Sequence, residues 1–202
     1  MFQEIKFNNE LSIYQTSLND IDNKSLAIDL ELNCNILNAP PSNKNEPGIQ
    51  SNIHIISKNI SEIRNRVTNE IIKFANLEDN AAFIYTDWVY ISDNKNLISH
   101  YHNHNHGFNH IHTIEKPKWT LVYYVEMPNN LLETEGLLHF KSKNGEEFSI
   151  LPQVGQLVLF NADILHRPGL NKHSTNRRIV YASNIAILYK NKEYIKREKS
   201  LF

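Results

Sequence analysis

Between residues 53 and 77, Ile56, Ile60, Ile63, Val67, Ile71 and Phe74 recur at steps of three or four. An α-helix repeats every ~3.6 residues, so these side chains share one face, while Glu62, Arg64, Arg66 and Lys73 fall largely elsewhere. The spacing predicts an amphipathic helix packed on a sheet. Upstream, the pattern predicts a strand near residues 11–15 and a helix near 21–33. Residues 38–51 carry Pro40, Pro41, Pro47 and Gly48 and are expected to form a loop. From Ala81 onward the period shortens. Runs rich in Ile, Val, Tyr, Phe and Leu at 83–92, 120–126, 136–142, 147–151, 156–161 and 177–188 alternate with turn residues. Asn144-Gly145 between two runs is a hairpin signal, and Pro152 to Gly155 marks another turn. Many short strands without intervening helices predict a sandwich or barrel. The expected order is helices first, then a mainly β core: one domain over 1–202, with a helical or extended N-terminal layer at 1–80, a jelly-roll core at 81–190 and a C-terminal tail at 191–202.

Composition narrows the class. The 202 residues are 41% hydrophobic and 21% charged, an ordinary globular mix long enough to bury one core. Lys and Arg total 21 against 22 Asp and Glu, for a net charge of −1, so no basic field exists to hold a phosphate backbone and nucleic acid is not an expected partner. Cys34 is the only cysteine, which points to a reducing compartment. The start, Met1-Phe2-Gln3-Glu4, shows no signal peptide, and the apolar runs at 121–125 and 185–189 are too short to span a bilayer. A cytoplasmic protein with no membrane partner is expected.

The distribution of histidine is abnormal. Six of the ten fall between His100 and His112. On an extended strand, residues i and i+2 point the same way, so His100 and His102 are placed to offer two imidazoles to one ion, and neutral imidazole suits Fe, Zn, Ni and Cu. The competing reading is a surface loop that is merely histidine-rich. Downstream, Gly155 opens the apolar strand Gln156 to Asn161, and His166 follows after a short loop. A histidine there is often only a satisfied structural residue, but it also stands where a third ligand would meet the first pair. Arg177-Arg178 then begins the last strand. An arginine inside a barrel needs an anionic partner, and a carboxylate held bidentately is the natural one. Arg178 shares its face with Val180, Ala182, Asn184 and Ala186, whereas Arg177 shares its face with the bulkier Ile179, Tyr181, Ser183, Ile185 and Ile187. The smaller set leaves room for a bound molecule and favours Arg178. The sequence lacks GxSxG, GxGxxG, P-loop, HExxH and CxxC motifs, which removes the usual support for nucleophilic hydrolysis and nucleotide chemistry.

The ordered set of an HxH pair, a distal histidine after G-x-L-V-L-F and an arginine eleven or twelve residues later resembles the 2-oxoglutarate- and Fe(II)-dependent oxygenases. It is nearest to the bacterial and phage group with an HxH motif. The matching residues are Trp88, His100-Tyr101-His102, Val122-Tyr123-Tyr124-Val125, Gly136 to Phe140, Gly155 to Phe160, His166 and Arg178-Ile179, with a likeness at Pro41-Ser42-Asn43 and Gly48-Ile49-Gln50-Ser51. The resemblance implies a double-stranded β-helix, the cupin-like jelly roll, flanked by N-terminal helices. It implies Fe(II) on His100, His102 and His166, and 2-oxoglutarate as co-substrate with its distal carboxylate on Arg178 or Arg177. Tyr123 or Tyr124 is a candidate hydroxyl donor to that co-substrate, against a plain place in the core. The implied reaction uses molecular oxygen to hydroxylate an unactivated C–H of a small-molecule or peptidyl substrate. The segment 107–119 is placed as a substrate lid, with Trp119 or Phe108 as a contact.

Two features depart from the family pattern. The usual set is two histidines and a carboxylate, yet no HxD or HxE occurs in the sequence. Either a third imidazole replaces the acid or a more distant one such as Glu115 does. The stretch from His102 to Tyr123 is also long, so the first pair reads as His100/His102, as His102/His104, or as lying at His110/His112. A three-histidine, cupin-type dioxygenase without 2-oxoglutarate, and a non-enzymatic jelly roll whose histidine-rich loop captures Zn or Ni, are the alternatives.

Overall fold

The structure, a computed structural model, describes residues 2–9, 11–36, 49–74, 81–92, 100–104, 117–170 and 177–189. Its elements in chain order are β1 (Gln3–Lys6), β2 (Ser12–Ser17), α1 (Asn23–Ile36), β3 (Ile49–Asn52), α2 (Lys58–Phe74), β4 (Ala81–Ser92), β5 (Trp119–Glu126), β6 (Leu138–Lys141), β7 (Glu147–Ile150), β8 (Gln156–Asn161), β9 (Leu165–Pro168) and β10 (Arg178–Tyr189). The strands form a seven-stranded sheet in the order β1-β2-β8-β5-β10-β4-β3 and a three-stranded sheet in the order β7-β6-β9. All their pairings are antiparallel. The fold is a jelly roll of mainly β structure with two helices among the described residues.

Strand alternation splits the interior in two. On one face of the large sheet Leu121, Tyr123, Val125, Leu157, Leu159, Ile179, Tyr181 and Ile185 pack with the helices. On the other, Val122, Tyr124, Val158, Phe160, Val180 and Ala182 meet Leu138 and Phe140 of the small sheet. The long strands are therefore apolar on both faces, as strands covered on both sides must be.

Helix α2 buries Ile60, Ile63, Val67 and Ile71 completely, which is the face its spacing predicts. It starts later than residue 53 because the Ser57 hydroxyl accepts from the Ile60 amide at 3.4 Å, in the manner of an N-cap. Ile56, just before that cap, is left 39% exposed. Asp22 does the same for α1, accepting from the Ser25 amide at 3.1 Å and the Ser25 hydroxyl at 2.7 Å, and these bonds hold its carboxyl below the usual range. An ion pair between Arg64 and the buried Asp87 ties α2 to β4, and the Tyr181 hydroxyl donates to Asp87 at 2.8 Å.

Three strands differ from the expectation. Ile49–Asn52 falls inside the segment expected to be a loop, yet it pairs with β4. Partnering the backbone of β4, whose amides and carbonyls would otherwise lie open, outweighs the nearby turn residues. Gln3–Lys6 pairs with β2 at the opposite edge, so the N-terminal part contributes strands as well as helices to the large sheet. His166 does not close β8 through a loop but sits within β9, opposite Phe140 of β6. Residues 38–48, 191–202 and the greater part of 107–119 lie outside the described residues. Trp119 is in β5, edge-on to Tyr14 at 5.8 Å on the helix side, so it is not a lid contact.

The contrast between Ile63 and Ile56 is testable. Ile63→Ala is expected to lower unfolding free energy by about 2–5 kcal/mol, the range for a fully buried branched residue, and Ile56→Ala by about 0.5 kcal/mol or less, both read from urea denaturation.

Candidate functional site

The site starts from a backbone contact between two distant segments. His102 and His166 form an isolated antiparallel bridge, with the His102 amide donating to the His166 carbonyl at 3.0 Å and the His166 amide returning a bond to the His102 carbonyl at 2.9 Å. Two residues on, the His104 amide donates to the Ala162 carbonyl at 2.9 Å. The HxH segment is thereby held against β9 and the turn that leads into it from β8. Alternation sends the side chains of His102 and His104 the same way, towards His166. Their rings lie 4.5 Å (His102 and His166), 5.0 Å (His104 and His166) and 5.2 Å (His102 and His104) apart. One ring nitrogen from each lies within 4.8 Å of the others, a spacing that one metal ion can span.

Hydrogen bonds choose which nitrogens are free. His102 Nδ1 lies 3.1 Å from the His100 carbonyl, and His166 Nδ1 lies 3.0 Å from the Ile164 carbonyl. A carbonyl only accepts, so both Nδ1 atoms donate, and Nε2 is the ring atom left to face a metal. Burial holds the His166 imidazole far below its usual basicity, and burial takes His104 down to about 3, with the neighbouring histidines adding to both shifts. These two rings are neutral at pH 7, the state a metal ligand requires. Phe160 stands edge-on to His166 at 4.7 Å and Trp88 lies 5.2 Å from His104, so aromatic walls fix both rings.

The three histidines open onto a cavity of about 310 Å³ between the two sheets. Trp88, Tyr90, Tyr124 and Arg178 line it from the large sheet, and Leu138 and Pro168 from the small one. Arg178 is 2% exposed. One guanidinium nitrogen donates to the Gly169 carbonyl at 3.1 Å, and the group lies 5.8 Å from the Tyr90 ring. Its Nε has no hydrogen-bond partner among the described residues. Neither has the buried hydroxyl of Ser92, which faces Arg178 across the β4–β10 ladder. Gly169 allows the carbonyl contact because a side chain there would come within 2.7 Å of the Leu137 carbonyl oxygen. The Tyr124 phenol is buried beside Arg178, and burial raises its pKa, so it stays protonated as a donor.

The structure separates residues that the sequence left together. Arg177 points to the opposite side from Arg178 and pairs with Glu31 and, at 3.7 Å, with Glu126. Tyr123 faces the helices, where its hydroxyl donates to Asn23 at 2.8 Å and burial pushes its pKa up to about 12. Neither reaches the cavity. His100 is exposed and lies outside the group of three, which His104 joins, as in the alternative pairing of His102 with His104. The alternation argument applied to 100 and 102 applies equally to 102 and 104; only the bridge at His102 selects the register. His110, His112 and Glu115 lie outside the described residues. Periodicity alone gives Tyr90 and Ser92 no chemical signal, although counting forward along β4 from Trp88 by twos puts them on its face.

No family model matches the chain, and no curated protein matches it. Solved structures do. A viral collagen prolyl hydroxylase from Paramecium bursaria Chlorella virus-1, solved with 2-oxoglutarate, aligns with a TM-score of 0.61 at 13% identity over 86% of this chain and 94% of that one. A Pseudomonas putida prolyl-4-hydroxylase aligns with a TM-score of 0.57 at 14% identity, over 86% and 91%. The α-ketoglutarate-dependent carbocyclase SnoK from nogalamycin biosynthesis reaches 0.66 at 9% identity, over 92% and 85%. The chain has the jelly-roll fold of the 2-oxoglutarate- and Fe(II)-dependent oxygenases.

Proposed function

We propose that this protein is an Fe(II)- and 2-oxoglutarate-dependent oxygenase, with His102, His104 and His166 as the metal ligands and Arg178 as the anchor of the co-substrate's distal carboxylate. One observation carries the reading: a buried guanidinium with an unpartnered Nε lines the same cavity as three converging imidazoles. A buried cation without a counter-charge is unfavourable by several kcal/mol, about 3–5 where one partner of a pair is missing, so the position makes sense as half of an ion pair that a ligand completes.

The residues fit the group they would hold. Nitrogen donors suit Fe(II), and the Nδ1–H bonds of His102 and His166 set the orientation and tautomer that a metal needs. Arg178, with the Ser92 and Tyr124 hydroxyls on the same sheet face, supplies donors for a carboxylate at the other end of a short diacid. When bound, iron and the 2-oxo acid would let molecular oxygen oxidise a C–H bond, one oxygen atom going to the substrate and the other to the succinate that the 2-oxo acid forms as it loses carbon dioxide. The protein's work is to orient the co-substrate between the histidines and Arg178, to shield it from water with Leu138, Pro168 and Trp88, and to leave the remaining cavity for substrate. Hydroxylation of a small-molecule or peptidyl substrate is the outcome we favour. The neighbours' own names, prolyl hydroxylases and a carbocyclase, show that this fold supports more than one reaction.

The missing carboxylate favours a second reading, a cupin-type dioxygenase with three histidines and no 2-oxoglutarate. The two readings part at Arg178, which the second one leaves without a role.

Co(II) titration, followed by visible absorption, tests the ligand set. His166→Ala and His104→Ala are each expected to weaken binding by at least roughly 100-fold, since even the groups that orient a ligand are worth about 10–100-fold. His100→Ala should leave affinity within about twofold, because removing an imidazole leaves untouched the carbonyl that His102 uses. Arg178 is tested anaerobically with Fe(II) and 2-oxoglutarate, whose chelate gives a weak visible charge-transfer band. Arg178→Ala should raise the 2-oxoglutarate concentration at half-saturation by roughly 30-fold or more, the equivalent of about 2 kcal/mol for a lost buried charge pair. Absence of the band in iron-loaded wild type, together with no succinate in air, would overturn the proposal; an undiminished band in Arg178→Ala would remove Arg178 from it.

A further inference from the structure

The charge inventory of the cavity leads one step further. A metal-bound imidazole is a neutral ligand, so three of them leave a divalent ion with its full charge. Arg178 adds another positive charge to the same cavity. No Asp or Glu lines that cavity among the described residues. Where one of three ligands is a carboxylate, the protein itself cancels part of the ion's charge; here that share is left to whatever binds. The residue responsible is His104. Its amide is fixed to the Ala162 carbonyl, and its ring is set between Trp88 and His166. A change of side chain there alters the charge of the centre with the backbone held.

We infer that His104 makes the centre select a dianionic ligand and couples that ligand to the metal, each binding weakly alone and much more tightly with the other. The inference rests on the ligand and anchor assignments above and adds what they do not contain, namely the origin of the coupling in a missing protein carboxylate. Arg178 and a divalent ion in one water-poor cavity repel each other, so the metal alone enters weakly, and a dianion alone meets only one of the two positive charges that would hold it. A dianion placed between them offsets both at once. Linkage requires the effect to be reciprocal, and coupling of this kind is commonly about 5–150-fold. A monoanion with the same chelating end offsets only the metal and leaves Arg178 unpaired.

The test uses the full chain and Mn(II), whose free concentration is read from its electron paramagnetic resonance signal. Mn(II) is titrated alone, with saturating 2-oxoglutarate, and with 2-oxovalerate, which keeps the 2-oxo acid end but lacks the distal carboxylate. For wild type, 2-oxoglutarate is expected to tighten Mn(II) by at least about tenfold and 2-oxovalerate by no more than about threefold. His104→Asp should bind Mn(II) alone at least about fivefold more tightly than wild type, and 2-oxoglutarate should then add no more than about threefold. The wild-type comparison of the two acids needs no variant, so it stands even if His104→Asp folds poorly by circular dichroism. If 2-oxovalerate tightens Mn(II) on wild type as much as 2-oxoglutarate does, or if His104→Asp keeps the wild-type coupling, the inference falls and the proposed function stands; if Mn(II) and 2-oxoglutarate bind wild type independently, the chelate itself is absent and both fall. If wild type binds neither, the proposed function falls and takes the inference with it.

Discussion

Two hydrogen bonds hold the centre of this molecule together. The reciprocal bridge between His102 and His166 joins a segment after β4 to a short strand of the small sheet. Without it the imidazoles would belong to unrelated pieces of chain. With it, the pleat of each segment decides which rings converge: His102, His104 and His166 do so, and His100 contributes its carbonyl to His102. Backbone pairing places the segments, and side-chain to carbonyl bonds then set the ring tautomers. The geometry is thus built by ordinary β-ladder interactions before any ligand is considered.

The same alternation organises the rest of the cavity. Large-sheet residues on one face meet α1 and α2, and residues one step along meet the small sheet. A shift of one residue in β10 would exchange Arg178 for Arg177, and a shift in β5 would exchange Tyr124 for Tyr123. The burial of Ile179, Tyr181, Ile185 and Ile187 against the helices makes such a slip prohibitive. The helix-side core is in this sense the reason a guanidinium lies inside the cavity, although no helix residue lines it among the described residues. The buried Asp87, paired with Arg64 and Tyr181, pins β4 and β10 to α2 at that level.

The cavity is unusual in the sign of its charge. Its walls are mostly apolar, and its one Asp, Glu, Lys or Arg side chain among the described residues is Arg178. Such a space is a poor container for a cation by itself and a good one for a cation accompanied by an anion. The fold shared with prolyl hydroxylases and a carbocyclase supplies the scaffold. The particular donor set belongs to this chain.

Much was legible before any coordinates. The change of period at Ala81, the helix face from Ile60 to Ile71 and the opposite facing of Arg177 and Arg178 all follow from local repeats, because side-chain direction within one element depends only on position along it. The distal histidine His166 could be singled out, but not its own strand, since four residues carry too little pattern to announce a pairing with β6. Strand β3 was hidden for the same reason among turn-forming neighbours. Which of the clustered histidines meet His166 was beyond the sequence altogether: His100, His102 and His104 repeat at the same interval, and periodicity cannot rank equivalent steps. The chain alone determined which residue types were available and which faces they occupied. Tertiary pairing between residues 102 and 166 decided the register, because only a contact between distant segments breaks that equivalence.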